Sequence, residues 1–211
     1  MRTPREIYAQ YRIMPSLQLH QLRVAAVAKL ICDHATTPVN TQDVLLECLF
    51  HDIGNIVKFD LAYFPEFVQP EGSAYWESVK ADFVKKYGNE QHAANAAIAR
   101  EIGLSEHIVG MMDMSGFSHI GTIIERGPIE LKICQYADLR VGPHGIVSLE
   151  ERLRDFEKRY SAKNDSAYES AAHTGRELEE QVFSRTTIRP EDINDARVTP
   201  LIGELREYSP T

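Results

Sequence analysis

Apolar residues recur along most of the chain at spacings of three and four, and no stretch shows the period-two alternation of a half-buried strand, so the pattern predicts helix after helix. From Leu17 to Ile31, His20, Val24, Val27 and Ile31 fall on one stripe, which turns His20 inward beside three aliphatic side chains. A second helix starts near Asn40 or Thr41, both suitable N-caps, and runs to about Asp52. On it Val44, Cys48 and His51 form one line, and Leu45, Leu49 and Asp52 form the next. An imidazole and a carboxylate therefore continue a buried face, and Gly54 gives the backbone freedom to turn away just beyond them.

Residues 57–74 set Asp60, Pro65, Pro70 and Gly72 among Phe59, Leu61, Tyr63, Phe64 and Phe67, too irregular for a long helix. They read as an aromatic-rich loop whose rings either fill the space between helices, the commoner use and the one favoured, or cover a site. Ser73 is placed as the cap of a helix from Ala74 to Tyr87, stopped by Gly88. The next, from Glu90 to Ile102, carries His92 followed by five alanines that permit close packing. Leu104 to Met114 forms a further helix, with His119 in the loop beyond, and Pro128 at a first helical position opens a helix that aligns Leu131, Cys134 and Asp138.

After the break at Gly142-Pro143-His144-Gly145, Ser148 and Glu151 have the spacing of a capping box, and Leu149, Leu153, Phe156 and Tyr160 mark one packed face. Asp165 to Arg185 is a long helix whose charges form a solvated face, and 186–211 reads as short helices and a tail. The fold class expected is all-α: a helical bundle over residues 1–145 with a C-terminal helical extension, 146–211, packed on it.

With 43% hydrophobic and 26% charged residues in 211, the composition is that of an ordinary globular protein. The net charge of −8 is spread evenly, 13 basic and 17 acidic side chains in residues 1–145 against 10 and 14 in 146–211. No basic half exists to grip a nucleic-acid polymer, whereas a small phosphorylated ligand needs only a few local cations. Cys32, Cys48 and Cys134 lie far apart inside apolar patterns and read as buried free thiols rather than a disulfide or thiolate zinc framework. Neither an apolar signal core nor a run near the roughly 18 residues of a membrane span is seen, so a cytoplasmic setting without a membrane partner is expected.

A lone histidine on an apolar face is most often a satisfied core residue, and a buried aspartate needs a cation, a metal or a cap. Asp52 has a lysine partner or a capping role as its alternative, and Asp138 an ion pair with Arg140. As an ordered set, however, His20, His51-Asp52 and Asp138 resemble the His, His-Asp, Asp signature of the HD-domain metal-dependent phosphohydrolases. Phe50-His51-Asp52-Ile53-Gly54 looks like their HDIG variant. Gln91-His92 followed by Ile98-Ala99-Arg100-Glu101-Ile102-Gly103-Leu104 resembles the helix that supplies another histidine in some members, and Tyr136-Ala137-Asp138 the segment of the final aspartate. The resemblance covers roughly residues 15–145 and implies an HD-domain bundle.

It also implies that His20, His51, Asp52 and Asp138 bind one divalent ion (Mn, Fe, Co, Ni, Zn or Mg), that Asp52 is catalytic, and that His92 serves a second metal or the substrate. Such an ion generates hydroxide near neutral pH for attack on phosphorus. Lys58 and Arg140 are the cations placed to neutralise phosphate, with ordinary surface salt bridging as the alternative. The sequence departs from the family pattern in two places: Asn55 follows the motif glycine where many members carry lysine, and Ile108 to Asp113 contains no histidine. A single ion is thereby favoured over two. The expected function is phosphohydrolysis of a small phosphorylated metabolite, a nucleotide or other phosphoester. The alternatives are a non-hydrolytic nucleotide-binding or structural domain and, less favoured, a di-iron oxygenase.

Overall fold

A computed structural model describes residues 2–160 and 165–210 of the chain. Helix α1 (Pro4–Gln10) opens with a capping box in which Thr3 and Glu6 satisfy each other's backbone N–H groups, and it buries Ile7 and Tyr8. Helix α2 (Pro15–Asp33) begins on a proline, whose fixed φ suits a first helical position, and is buried on every side between Val24 and Ala28. Its small Ala25, Ala26 and Ala28 admit neighbours closely. Helix α3 (Thr41–Phe50) is capped by the Asn40 side chain, which accepts from the Asp43 N–H. The Tyr8 hydroxyl of α1 donates to the Leu49 carbonyl at its far end, tying the start of the chain to the end of α3.

Helices α4 (Ser73–Tyr87), α5 (Gln91–Glu101), α6 (Glu106–Met114), α7 (Ile120–Arg126), α8 (Ile129–Leu139), α9 (Leu149–Tyr160) and α10 (Asp165–Phe183) follow, then the short α11 (Asp195–Val198) and α12 (Ile202–Arg206). Helices α2, α3 and α8 pack on one another at the centre; α10 lies against α7, α8 and α9, and α12 returns to α2. Among the described residues there is no strand, only isolated bridges between Ala35 and Thr186 and between Val141 and Ile146. The fold is all-α, as the hydrophobic period predicts. No described helix is long and apolar enough to cross a membrane.

Several details differ from the sequence expectation. Ser73 is the first helical residue rather than the cap, because Gly72 ahead of it, at φ 86°, takes the capping position that a residue with a Cβ rarely adopts. Pro128 caps α8 instead of opening it. Helix α7 was not anticipated; two turns are too few to show a period. Gly54 has φ −97°, open to any residue, so conformational freedom is not its role. A Cβ there would stand 2.9 Å from the Ala94 Cβ and from the Asn95 backbone N, so glycine is required by the close approach of α5. The Gly54 N–H donates to Asn95 Oδ1 at 2.6 Å, and Asn95 Nδ2 donates to Asn55 Oδ1 at 3.4 Å. Asn55 is thus a buried partner of α5.

Candidate metal centre

Three elements bring the four ligand-type side chains together. His20 comes from the second turn of α2, His51 and Asp52 from the turn that ends α3, and Asp138 from the last turn of α8. His20 Nε2 lies 3.2 Å from Asp138 Oδ1 and 3.8 Å from Asp52 Oδ2. His51 Nε2 lies 3.7 Å from Asp52 Oδ2 and 3.8 Å from Asp138 Oδ1. Ligand atoms bonded to one ion at ~2.1 Å sit roughly 3–3.5 Å from each other; His20, His51 and Asp52 offer atoms that all lie within 4.8 Å of one another, and Asp138 joins them through its contacts with the two imidazoles.

The orientation of His51 is set from behind. Its Nδ1 donates to the Cys48 carbonyl at 3.0 Å, one turn back on α3, which leaves the Nε2 lone pair facing the two carboxylates. That Nε2 is buried and has no hydrogen-bond partner. Asp52 is held through its backbone, whose N–H donates to Oε1 of the fully buried Gln21 at 3.3 Å. Gln21 is the residue next to His20 and was not singled out in the sequence.

The local field favours positive charge. Burial opposes a charge on His51, but the carboxylates of Asp52, Asp138 and Glu47 prevail and raise its pKa to about 9. Burial likewise penalises the Asp138 carboxylate, yet the His20 hydrogen bond and the charges of His20 and His51 hold its pKa well below the usual range. A divalent cation would supply the charge that the metal-free site draws from a proton on imidazole.

The cluster opens into a pocket of about 520 Å³. His20 and Asp52 line it, together with Met14 just before α2, Leu17 within it, and Val141 to Pro143. Phe59, Tyr63, Phe64 and Phe67 form much of the remaining wall, and Tyr63 is 60% exposed. The rings of this loop thus border the pocket while Phe59 also packs against the core, and Leu61 and Val68, on the same wall, are buried in it, so the loop both fills space between helices and borders the site. His144 packs edge-on to Phe64, with ring centres 6.1 Å apart, and meets Phe67 at 5.8 Å.

Of the two cations assigned to phosphate, Lys58 is on the pocket wall and exposed. Arg140 is not. Two residues along a helix turn a side chain by about 200°, so Arg140 points away from the side that Asp138 faces. It is buried there, with Nε donating to Val147 O at 2.6 Å, Nη1 to Pro190 O at 3.1 Å and to the Tyr136 hydroxyl, and Nη2 to Ile193 O at 2.9 Å. Its role is structural. His92 does not reach the pocket wall either: it lies two residues before the part of α5 that touches Gly54, and its Nε2 is 3.1 Å from Gln91 Nε2. The cation that the sequence did not single out is Arg152 of α9, which lines the pocket with 13% of its side chain exposed. No local signal distinguishes it from the other charges of an amphipathic helix.

Glu47, Cys48 and Cys134 form a second buried group of ligand-type atoms beneath the first. The Ser115 hydroxyl donates to Glu47, and burial raises the Cys48 thiol to about 11, which describes protonated thiols in a hydrogen-bonded core. Cys32 is free as well but only partly buried.

A family model described as HD domain matches residues 18–139, more than half of the chain and the stretch that contains all four clustered side chains. Searches of curated proteins and of solved structures returned no match.

Proposed function

This chain belongs to the HD domain family of metal-dependent phosphohydrolases, and from that premise we propose that it hydrolyses a small phosphorylated metabolite, a nucleotide or another phosphoester. In this reading His20, His51, Asp52 and Asp138 hold one divalent cation. The observation that carries it is the buried, partnerless Nε2 of His51, aimed at two carboxylates within 3.8 Å. A divalent cation among the four side chains would take the place of the proton that the metal-free site holds on His51, and would bond a nitrogen that makes no hydrogen bond. Two imidazole nitrogens and two carboxylates suit Mn, Fe, Co, Ni or Zn, and Mg less well, with availability deciding among them.

The bound ion supplies Lewis acidity and lowers the pKa of a water molecule. The chain's own residues do the rest. Cys48 fixes the His51 tautomer, and Gln21 fixes the Asp52 backbone. Asp52 faces the pocket with 27% of its side chain exposed, placed to accept a proton from an attacking water. The pocket volume suits a metabolite-sized ligand, and the rings of Phe59, Tyr63, Phe64 and Phe67 offer flat faces to a base or sugar. Because Ile108 to Asp113 carries no histidine, one ion is favoured over two, which also disfavours a di-iron oxygenase.

The test is reconstitution of the purified protein with single divalent metals, elemental analysis, and a phosphate-release screen over nucleoside monophosphates and other phosphoesters. Chelator-sensitive release is expected. A protein that binds one equivalent of metal and a nucleotide yet releases no phosphate would instead be a non-hydrolytic binding domain.

A further inference from the structure

We propose that Arg152 binds the phosphate of the ligand, so that helix α9, beyond the segment matched by the family model, completes a pocket otherwise lined by residues between Met14 and Pro143. This rests on the phosphoester reading above and assigns its anion-binding group. Two carboxylates cancel the charge of a divalent ion, so an incoming phosphate still needs a cation. The pocket wall offers two, Lys58 and Arg152. Lys58 is exposed, and ordering a long solvated lysine is entropically costly. Arg152 is already largely withdrawn from solvent and close enough to the cluster for its charge to act on Asp138.

Its placement is built into α9. The Ser148 hydroxyl accepts from the Glu151 N–H, and the Glu151 carboxylate accepts from Ser148, which fixes the first turn. Leu149 and Leu153 bury the adjoining face in the same core as Leu178 and Val182 of α10. Arg140 secures the approach to α9, because Val147 N donates to Arg140 O at 2.9 Å while Arg140 Nε donates to Val147 O. The arginine that fails to reach the phosphate thus positions the one that does. The Arg152 guanidinium lies over the Phe156 ring, 4.5 Å from its centre, with Nη1 3.5 Å from Asp155 Oδ2. The ring contact holds the group in place, and a planar guanidinium presents paired N–H donors that match two phosphate oxygens.

The experiment titrates metal-loaded protein with inorganic phosphate by calorimetry, comparing wild type with Arg152→Gln, Arg152→Lys and Lys58→Gln, with metal content and melting temperature measured on each. Arg152→Gln should lose about 10-fold or more in phosphate affinity at unchanged metal content, since charge-assisted hydrogen bonds are being removed. Arg152→Lys should fall between, and Lys58→Gln should bind nearly as wild type. If Arg152→Gln fails to fold, Arg152→Lys decides, because it keeps the charge and stem but not the paired donors. Wild-type affinity in a folded Arg152→Gln, or in Arg152→Lys where that variant decides, overturns the proposal, as does a wild type that binds no phosphate. Phosphate binding that depends on Arg152 without turnover of any phosphoester supports this assignment while rejecting the hydrolase reading.

Discussion

His20 Nε2 stands 3.2 Å from Asp138 Oδ1, a contact that joins the second turn of α2 to the last turn of α8. Both helices also pack on α3, whose end supplies His51 and Asp52, so the three central helices and the ligand cluster are one construction. The helices place four polar side chains where apolar ones would otherwise continue the core. Such an arrangement persists only if the charges are balanced.

That balance gives a pH prediction for the metal-free protein. The His51 pKa is raised from an ordinary 6.5 to about 9, so its stabilising contribution is fully present below 6.5 and is lost as pH rises through about 9. Melting temperature of the chelated protein should therefore fall between about pH 7 and pH 9.5 more steeply than that of His51→Gln. Adding cation at pH 7 should release protons, detectable in weakly buffered solution. Identical pH slopes for the two chelated proteins would reject the assignment.

Gly54→Ala should destabilise the fold by roughly 1–3 kcal/mol in urea unfolding, because the new methyl meets the Asn95 backbone N and the Ala94 methyl at 2.9 Å. Neither neighbour is the end of a flexible side chain. The displaced turn also carries Asp52, so metal occupancy should drop along with stability. A variant with wild-type stability would mean that α5 gives way freely.

The inward faces of the four clustered side chains were legible for a local reason, while their grouping came from the resemblance to the HD-domain signature. His20 shares a stripe with Val24, Val27 and Ile31, and Asp138 with Leu131 and Cys134, so helical periodicity alone turns each inward. The roles of Arg140 and Arg152 were not legible, since both depend on where α9 and the 190–193 segment return, and no spacing encodes that. The alanine-rich helix predicts close packing of α5, and the contact falls at Ala94 and Asn95, two and three residues beyond His92, which no spacing could locate. Which rings of the aromatic loop pack on the core and which border the pocket was not legible either, because ring content marks both equally well until the backbone path is known.

Arg140→Met should cost roughly 2–4 kcal/mol of stability, because it strands the part-buried carbonyls of Val147 and Pro190 and the buried one of Ile193 without their donors. Denaturant melts check this directly. Metal content should hold, since Arg140 donates to none of the four clustered side chains. A stable Arg140→Met protein that has lost its metal would place the arginine in the site after all.

Asp52→Ala should abolish phosphoester hydrolysis while leaving the helical fold in place. Asp52 Oδ2 stands within 3.8 Å of both imidazoles, so its removal takes away a proposed ligand and half of the carboxylate charge that holds the cation. It also removes the carboxylate on the pocket wall placed to receive the proton from water. If both losses act on the chemical step, kcat should fall by on the order of 100-fold or more, rather than KM rising alone. Asp52→Asn separates the two, since it keeps an oxygen near the cation but no longer accepts a proton at neutral pH, and it should retain more metal than Asp52→Ala with comparably low turnover. Circular dichroism and melting temperature have to accompany the kinetics, because part of this side chain is buried. A folded Asp52→Ala protein with wild-type, chelator-insensitive turnover would reject metal-dependent hydrolysis at this cluster.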